Sequence, residues 1–272
     1  MLTQEQIKEF DEKGFIKGDL ILNDQEVELL RKEAELVMSG KSVNKPVLNR
    51  NLLDGSSEYG MSMSKTETVI QIVNIWMASE AYLNHAANLR VCEETAQLCR
   101  SNTLRIWHDQ FLYKPPVTGG PTGWHQDHPA WPIIQPPDLV SAWIALDDAT
   151  IENGAMWMVP GSHKWGNQNK HIRSTSDFKP YHNQPELLPM GAKVEAEPFE
   201  IKKGQVGYHH CLTWHGGSHN RTDTKRRAIA VHYMPGHTYY APTGTHPMEP
   251  HINVMPGEVI IGDSFPVVYQ RA

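Results

Sequence analysis

From Thr103 to Pro235 the chain is a succession of short segments rich in β-branched and aromatic residues, and this rhythm restricts the fold more than any other feature. The segments are "TLRIWHDQFLYK", "DLVSAWIALDD", "AMWMVP", "QVGYHHCLTWH" and "RRAIAVHYMP". Clusters of Gly, Pro, Asn or Asp, such as "PPVTGGPTG", "IENG" and "HNRTDTK", separate them. Short strands punctuated in this way build an antiparallel sandwich or jelly roll. Upstream the period becomes helical. "TQEQIKEFDEKGF" offers Thr3 as an N-cap with Gln6 three residues later, and Gly14 closes the segment. "NDQEVELLRKEAELVM" places Val27, Leu30, Ala34 and Val37 on one stripe behind an Asn23 or Asp24 cap. "SEAYLNHAANLRVCEETAQLC" reads as two further helical pieces, and the polar residues 41–67 as a long loop. The expected plan is a single domain over 1–272, largely helical over 1–100. A β core follows over 101–272, with an insert near 163–200.

Composition excludes several function classes. The 272 residues carry a formal net charge of -6, which argues against a phosphate-backbone binder and so against nucleic acid as a partner. No stretch approaches the roughly 18 apolar residues of a membrane span. The charged start "MLTQEQIKEFDEKG" does not read as a secretory leader, so a cytoplasmic location with reduced Cys92, Cys99 and Cys211 is expected. The ending "VYQRA" does not match the Ser-Lys-Leu peroxisomal address. Eleven of the 15 histidines fall between His163 and His251, too many for all to be ligands.

One loop carries metal-site chemistry. In "GPTGWHQDHPAWP", His125 and Asp127 stand two apart, and on extended backbone such a pair points to one side. Taken alone, a loop histidine and aspartate making local hydrogen bonds are the plainer account of so short a pattern. His215, read as the end of the "QVGYHHCLTWH" strand, supplies a third donor. Two histidines and a carboxylate on one face leave open positions suited to Fe(II) and dioxygen. Zinc is the alternative metal, but structural zinc favours four protein ligands, and the cysteines are badly placed for that. If the co-substrate is 2-oxoglutarate, its distal carboxylate wants a buried arginine fork. Arg226 of "TKRRA" shares a strand face with Ala228, Ala230 and His232, although a solvated turn charge is the plainer account of any one of these basic residues.

These residues together resemble the phytanoyl-CoA dioxygenase family of Fe(II)/2-oxoglutarate-dependent oxygenases. The resemblance spans nearly the whole chain, through "LTQEQIKEFDEKGFI", "WHDQFLYKPP" with "GPTGWHQDHPAWP", "SAWIALDDATIENGAMWMVPGSHKWG" and "HGGSHNRTDTKRRAIAVHYMP". It implies a mainly β (α+β) fold, a double-stranded β-helix or cupin-like jelly roll with N-terminal helices packed against it. It implies His125, Asp127 and His215 as iron ligands and Arg226 as the 2-oxoglutarate clamp, with Gln110 and Trp143 as weaker co-substrate contacts. Some members place a serine two residues after the distal histidine, where this chain has Gly217. Halogenating relatives lack the carboxylate that Asp127 supplies. The implied reaction consumes O2 and 2-oxoglutarate and hydroxylates an aliphatic C–H of a small organic substrate. Trp107, Trp124, Trp131 and Trp165 are read as apolar walls of the mouth, and His108, His128, His163 and His210 as its polar contacts. Two other classes remain: a different metal-dependent enzyme on the same barrel, an isomerase or hydrolase, and a non-catalytic small-molecule-binding barrel. Oligomeric state is not readable from the sequence.

Overall fold

Fourteen strands and four α-helices are present among residues 1–53, 67–168 and 194–271, the residues described by this computed structural model. The N-terminal part alternates α1 (Gln4–Lys13), β1 (Phe15–Leu20), α2 (Asp24–Met38), β2 (Leu48–Asn51) and β3 (Ile70–Val73), before α3 (Glu80–Ala86) and α4 (Leu89–Cys99). Then follow β4 (Thr103–Lys114), β5 (Thr122–His125), β6 (Ile134–Gln135), β7 (Val140–Ala145), β8 (Met156–Met158) and β9 (Glu197–Phe199). The chain continues through β10 (Gln205–His210), β11 (His215–Gly217), β12 (Arg226–Pro235), β13 (Tyr239–Tyr240) and β14 (Val267–Gln270).

The large sheet has the order β1-β10-β7-β12-β4-β3-β2, with β14 also on β4, and a four-stranded sheet β5-β11-β8-β9 lies across it. All of these strand pairs are antiparallel. The strand period of two divides the side chains of β12 between two cores. Ile229, Val231 and Tyr233 join the helices, meeting Val27, Leu30 and Val37 of α2. Ala228 and Ala230 face the other way, toward Met158 and Phe199 of the small sheet. This is the jelly-roll arrangement expected, with the helices on one outer face. The helices are capped as their sequences indicate. Thr3 and Asn23 each form a capping box with the residue three positions on, and Gly14 closes α1 in the left-handed region. Among the described residues no helix is long and apolar enough to cross a membrane.

Three departures from the sequence reading concern strands. The first hundred residues are less helical than expected, because β1, β2 and β3 all join the large sheet. Within the stretch read as a loop, Leu48–Asn51 pairs with Ile70–Val73, and residues 54–66 lie outside the described residues. The segment "QVGYHHCLTWH" is two strands. Between them, Thr213 donates its hydroxyl to Gly14 O at 2.8 Å and Trp214 N donates to Ser162 Oγ at 2.8 Å, which turns the chain from the large sheet to the small one. Of the insert read over 163–200, residues 169–193 lie outside the described residues, and β9 occupies its end.

Buried His85 of α3 makes stability pH-dependent. Neither ring nitrogen has a hydrogen-bond partner, and burial pushes its pKa down to about 4. The unfolded chain takes up this proton near pH 6.5, so between pH 6.5 and 4 the unfolded state binds more protons and acidification destabilises the fold. The contribution is fully present above pH 6.5 and falls by roughly 2 kcal/mol by pH 5, at 1.36 kcal/mol per pKa unit. His85→Phe removes this component. In urea titrations the stability difference between wild type and variant should shift by that amount between pH 7 and pH 5.

Candidate metal centre and co-substrate pocket

His125 ends β5 directly opposite His215, which opens β11. Asp127 is not on extended backbone as expected. Its φ and ψ of -69° and -53° turn the chain into the short helix His128–Ala130. That turn still brings the carboxylate to the pair: Oδ1 lies 3.6 Å from Nε2 of His125 and 3.6 Å from Nε2 of His215. One donor atom from each of the three lies within 4.8 Å of the others.

The hydrogen bonds around these residues prepare them as donors. Nδ1 of His125 donates to Gly123 O at 2.8 Å, and Nδ1 of His215 donates to Thr213 O at 2.9 Å. Each ring therefore carries its proton on Nδ1 and turns a lone pair on Nε2 toward Asp127 Oδ1. Burial keeps His215 neutral, aided by neighbouring His125. Burial opposes ionisation of Asp127, but the hydrogen bond from His209 helps hold its carboxyl well below the usual range. The second oxygen, Oδ2, accepts from His209 Nε2 at 3.0 Å and from Ser141 Oγ at 3.2 Å. Both donors went unnoticed in the sequence, since strand register alone brings β7 and β10 beside this loop.

Ser141 is also the last link of a longer chain. Arg50 donates through Nε to Gln71 Oε1 at 2.8 Å, and Gln71 Nε2 donates to Gln110 Oε1 at 2.6 Å. Gln110 Nε2 donates to His232 Nε2 at 2.9 Å, and the other ring nitrogen of His232 meets Ser141 Oγ at 2.7 Å. Arginine only donates, so every amide orientation and the His232 tautomer follow, and all donors point toward Asp127. Gln110 thus lines the cavity with both amide ends engaged. Outer partners of this kind orient a metal ligand, and losing one costs about 10–100-fold in metal affinity. His232→Leu should weaken Fe(II) binding by about tenfold in competition with a chelator, because Ser141 then loses the partner that aims its hydroxyl.

Arg226 is the first residue of β12 and is 4% exposed. Its guanidinium lies 5.7 Å over the Trp143 ring, and its Nε has no hydrogen-bond partner. Burial lowers its pKa to about 10, with Asp147 opposing. Adjacent Arg227 faces outward and takes Asp147 at 2.9 Å, so no carboxylate among the described residues pairs with Arg226. Fully buried Lys114, opposite Arg226 in register, donates to the carbonyls of Gly217 and Ser218. At Gly217, where some family members have serine, a Cβ would lie 3.1 Å from Lys114 Nζ, a tight contact with the tip of that side chain. Burial, with Arg226 adjacent, pushes the Lys114 amine far down.

A cavity of about 450 Å³ contains the histidines and Asp127 together with Arg226, Trp143 and Gln110. Of the residues read as its mouth, Trp131 and His108 line it. Trp107 stacks on Phe265 in a separate core, and Trp124 and Trp165 pack in another with Trp214. His128 donates to Ile134 O, His210 Nδ1 accepts from Leu212 N, and His163 packs against His210. These three are held by local structure.

The donor set fits an octahedral divalent ion with nitrogen and oxygen ligands, and the buried unpaired guanidinium fits a carboxylate. Residues 10–228 match the family described as phytanoyl-CoA dioxygenase. The human peroxisomal phytanoyl-CoA dioxygenase is 26% identical over 258 residues, covering 88% of this chain and 70% of that protein. Phytanoyl-CoA dioxygenase 1 of Oryza sativa subsp. japonica is 33% identical over 129 residues, covering 47% of this chain and 44% of its own length. Among solved structures, the non-heme alpha-ketoglutarate-dependent carbocyclase SnoK superposes with a TM-score of 0.75 at 22% identity, covering 98% of this chain and 96% of that one. EctD from S. alaskensis, solved with 2-oxoglutarate and 5-hydroxyectoine, superposes at 0.70 and 21% identity, over 90% and 80% of the two chains.

Proposed function

The chain belongs to the phytanoyl-CoA dioxygenase family of Fe(II)/2-oxoglutarate-dependent oxygenases, and from that premise we propose that it acts as a single oxygenase domain that hydroxylates an aliphatic C–H bond of a small organic metabolite. The observation that carries this reading is the pairing of His125, Asp127 and His215 with the buried guanidinium of Arg226, which has no ion-pair partner among the described residues, in one cavity. A histidine–carboxylate cluster alone suits many metals. An unpaired buried arginine beside it selects an anionic co-substrate, because burying such a charge without a counter-charge is costly.

His125 Nε2, His215 Nε2 and Asp127 Oδ1 would hold Fe(II), and Arg226 would take the distal carboxylate of 2-oxoglutarate in two parallel hydrogen bonds. When bound, the metal lets dioxygen oxidise 2-oxoglutarate to succinate and CO2 and supplies the oxidant that converts the substrate C–H to C–OH. The protein's part is positional. The Nδ1 hydrogen bonds to Gly123 O and Thr213 O fix both imidazoles, while His209 and Ser141 hold the carboxylate so that one oxygen stays turned inward. Trp143 packs against the guanidinium and keeps water from it, which strengthens the clamp.

Anaerobic titration of the metal-free protein with Fe(II) and then 2-oxoglutarate tests the reading through the weak visible charge-transfer band of a chelated keto acid. A band, followed in air by succinate release, is the expected result. With Fe(II) demonstrably bound, the lack of a band overturns the 2-oxoglutarate assignment and leaves a different metalloenzyme.

A further inference from the structure

We propose that Arg50, with His108 and His246, forms a subsite for a carboxylate on the organic substrate, so that the substrate class is small aliphatic acids. The identity of this ligand as the substrate rests on the oxygenase reading above. The subsite itself rests on the residues.

Arg50 stands on the outermost strand of the large sheet, two strands from β4, and lines the same cavity as the histidines and Asp127. Its Nε is committed to Gln71, which leaves the outer guanidinium nitrogens for a ligand. Among the described residues no carboxylate lies in ion-pair range of it, although burial lowers its pKa. Burial, with the Arg50 charge nearby, lowers the His246 pKa to about 4 and keeps the ring neutral at pH 7. The His246 ring stacks on Trp107 at 5.1 Å and on His108 at 5.6 Å. His108 is 2% exposed, and neither of its ring nitrogens has a hydrogen-bond partner.

Charge bookkeeping within the cavity favours an anion there. Asp127 is its one carboxylate among the described lining residues, against Arg226, Lys114 and Arg50. With Fe(II) and 2-oxoglutarate in place, the metal and Arg226 cancel Asp127 and the two carboxylates of the co-substrate. Lys114 spends its amine on the carbonyls of Gly217 and Ser218, so Arg50 is the remaining cation with nitrogens left for a ligand. The two cation sites are also well apart. By register Arg50 lies opposite Gln71 and Gln71 opposite Leu112, whose partner on β12 is Ala228, so Arg50 and Arg226 are separated chiefly by three strand spacings, roughly 14 Å at about 4.8 Å each. Leu48, Leu52, Val73 and Trp131 line the same cavity and suit an aliphatic body.

Isobutyrate and isobutyramide, alike in shape and unlike in charge, are the probes. Calorimetric titration of each into anaerobic protein loaded with Fe(II) and saturating 2-oxoglutarate keeps Arg226 occupied. Isobutyrate should bind at least about tenfold more tightly than isobutyramide, as charge-assisted hydrogen bonds require. Arg50→Gln should abolish the preference, and Arg50→Lys should retain part of it. Equal affinity for the two probes, no saturable isobutyrate binding, or an unchanged preference in Arg50→Gln overturns the subsite. The wild-type comparison needs no variant to fold. Should the visible band be missing while an Arg50-dependent preference persists without 2-oxoglutarate, the oxygenase reading fails and the carboxylate subsite stands.

Discussion

Asp127→Asn should lower Fe(II) affinity by more than about 100-fold, beyond the loss expected for an outer partner, and leave the thermal midpoint of the metal-free protein unchanged or higher. The reason lies in which oxygen is already engaged. Oδ2 receives hydrogen bonds from His209 and Ser141, so in the variant the amide oxygen takes that place and the NH2 group occupies the position of Oδ1. There it faces the Nε2 lone pairs of His125 and His215, both fixed by their Nδ1 bonds. A metal-binding face becomes a pair of internal hydrogen bonds, and the burial cost of the carboxylate disappears with its charge. Competition with a fluorescent chelator, beside a thermal melt, measures both quantities. Retained Fe(II) affinity would show that the metal is held elsewhere. A fall in the metal-free midpoint of several degrees would show that the carboxylate holds the loop together.

How far the sequence revealed this site depended on the length and locality of each signal. Strands β4 and β12 coincide with segments read directly, because twelve and ten residues of apolar and aromatic character leave little ambiguity. Arg226 emerged on the correct face for the same reason: the alternation from Ala228 to Tyr233 separates two cores. Strand β2, "LNRN", is polar and only four residues long, and its strand character comes from pairing with β3. Its Arg50 therefore passed as a loop charge, and the Arg50–Gln71–Gln110–His232–Ser141 chain stayed hidden, since it joins residues up to 182 positions apart through register alone. "CLTW" has strand composition, so the break before His215 required knowing that Gly14 and Ser162 lie beneath it. The histidine-rich mouth was overread for a related reason: a ring's sequence position says nothing about whether a backbone carbonyl, as at His128, already holds it.

Arg226→Leu should move co-substrate affinity and stability in opposite directions. Two parallel hydrogen bonds to a carboxylate, each worth about 1.5–3 kcal/mol, amount to a loss of roughly 100- to 1,000-fold in 2-oxoglutarate affinity or more. The metal-free, ligand-free variant should nevertheless be as stable as wild type or more so. The guanidinium is buried over Trp143 with no ion-pair partner, and leucine, although shorter, removes a desolvated charge and leaves only apolar atoms in its place. Ligand then reverses the order. Wild type gains about 2.7 kcal/mol at a 2-oxoglutarate concentration 100 times its Kd, and the variant gains almost nothing at the same concentration. Thermal melts of the Fe(II) proteins with and without 2-oxoglutarate should therefore cross: variant at or above wild type without it, wild type clearly above variant with it. A merely structural Arg226 would lower the midpoint of the variant in both conditions and leave the ligand-induced shift intact. That result would move the co-substrate clamp to another cation of the cavity, and Arg50 is the one not committed to backbone carbonyls.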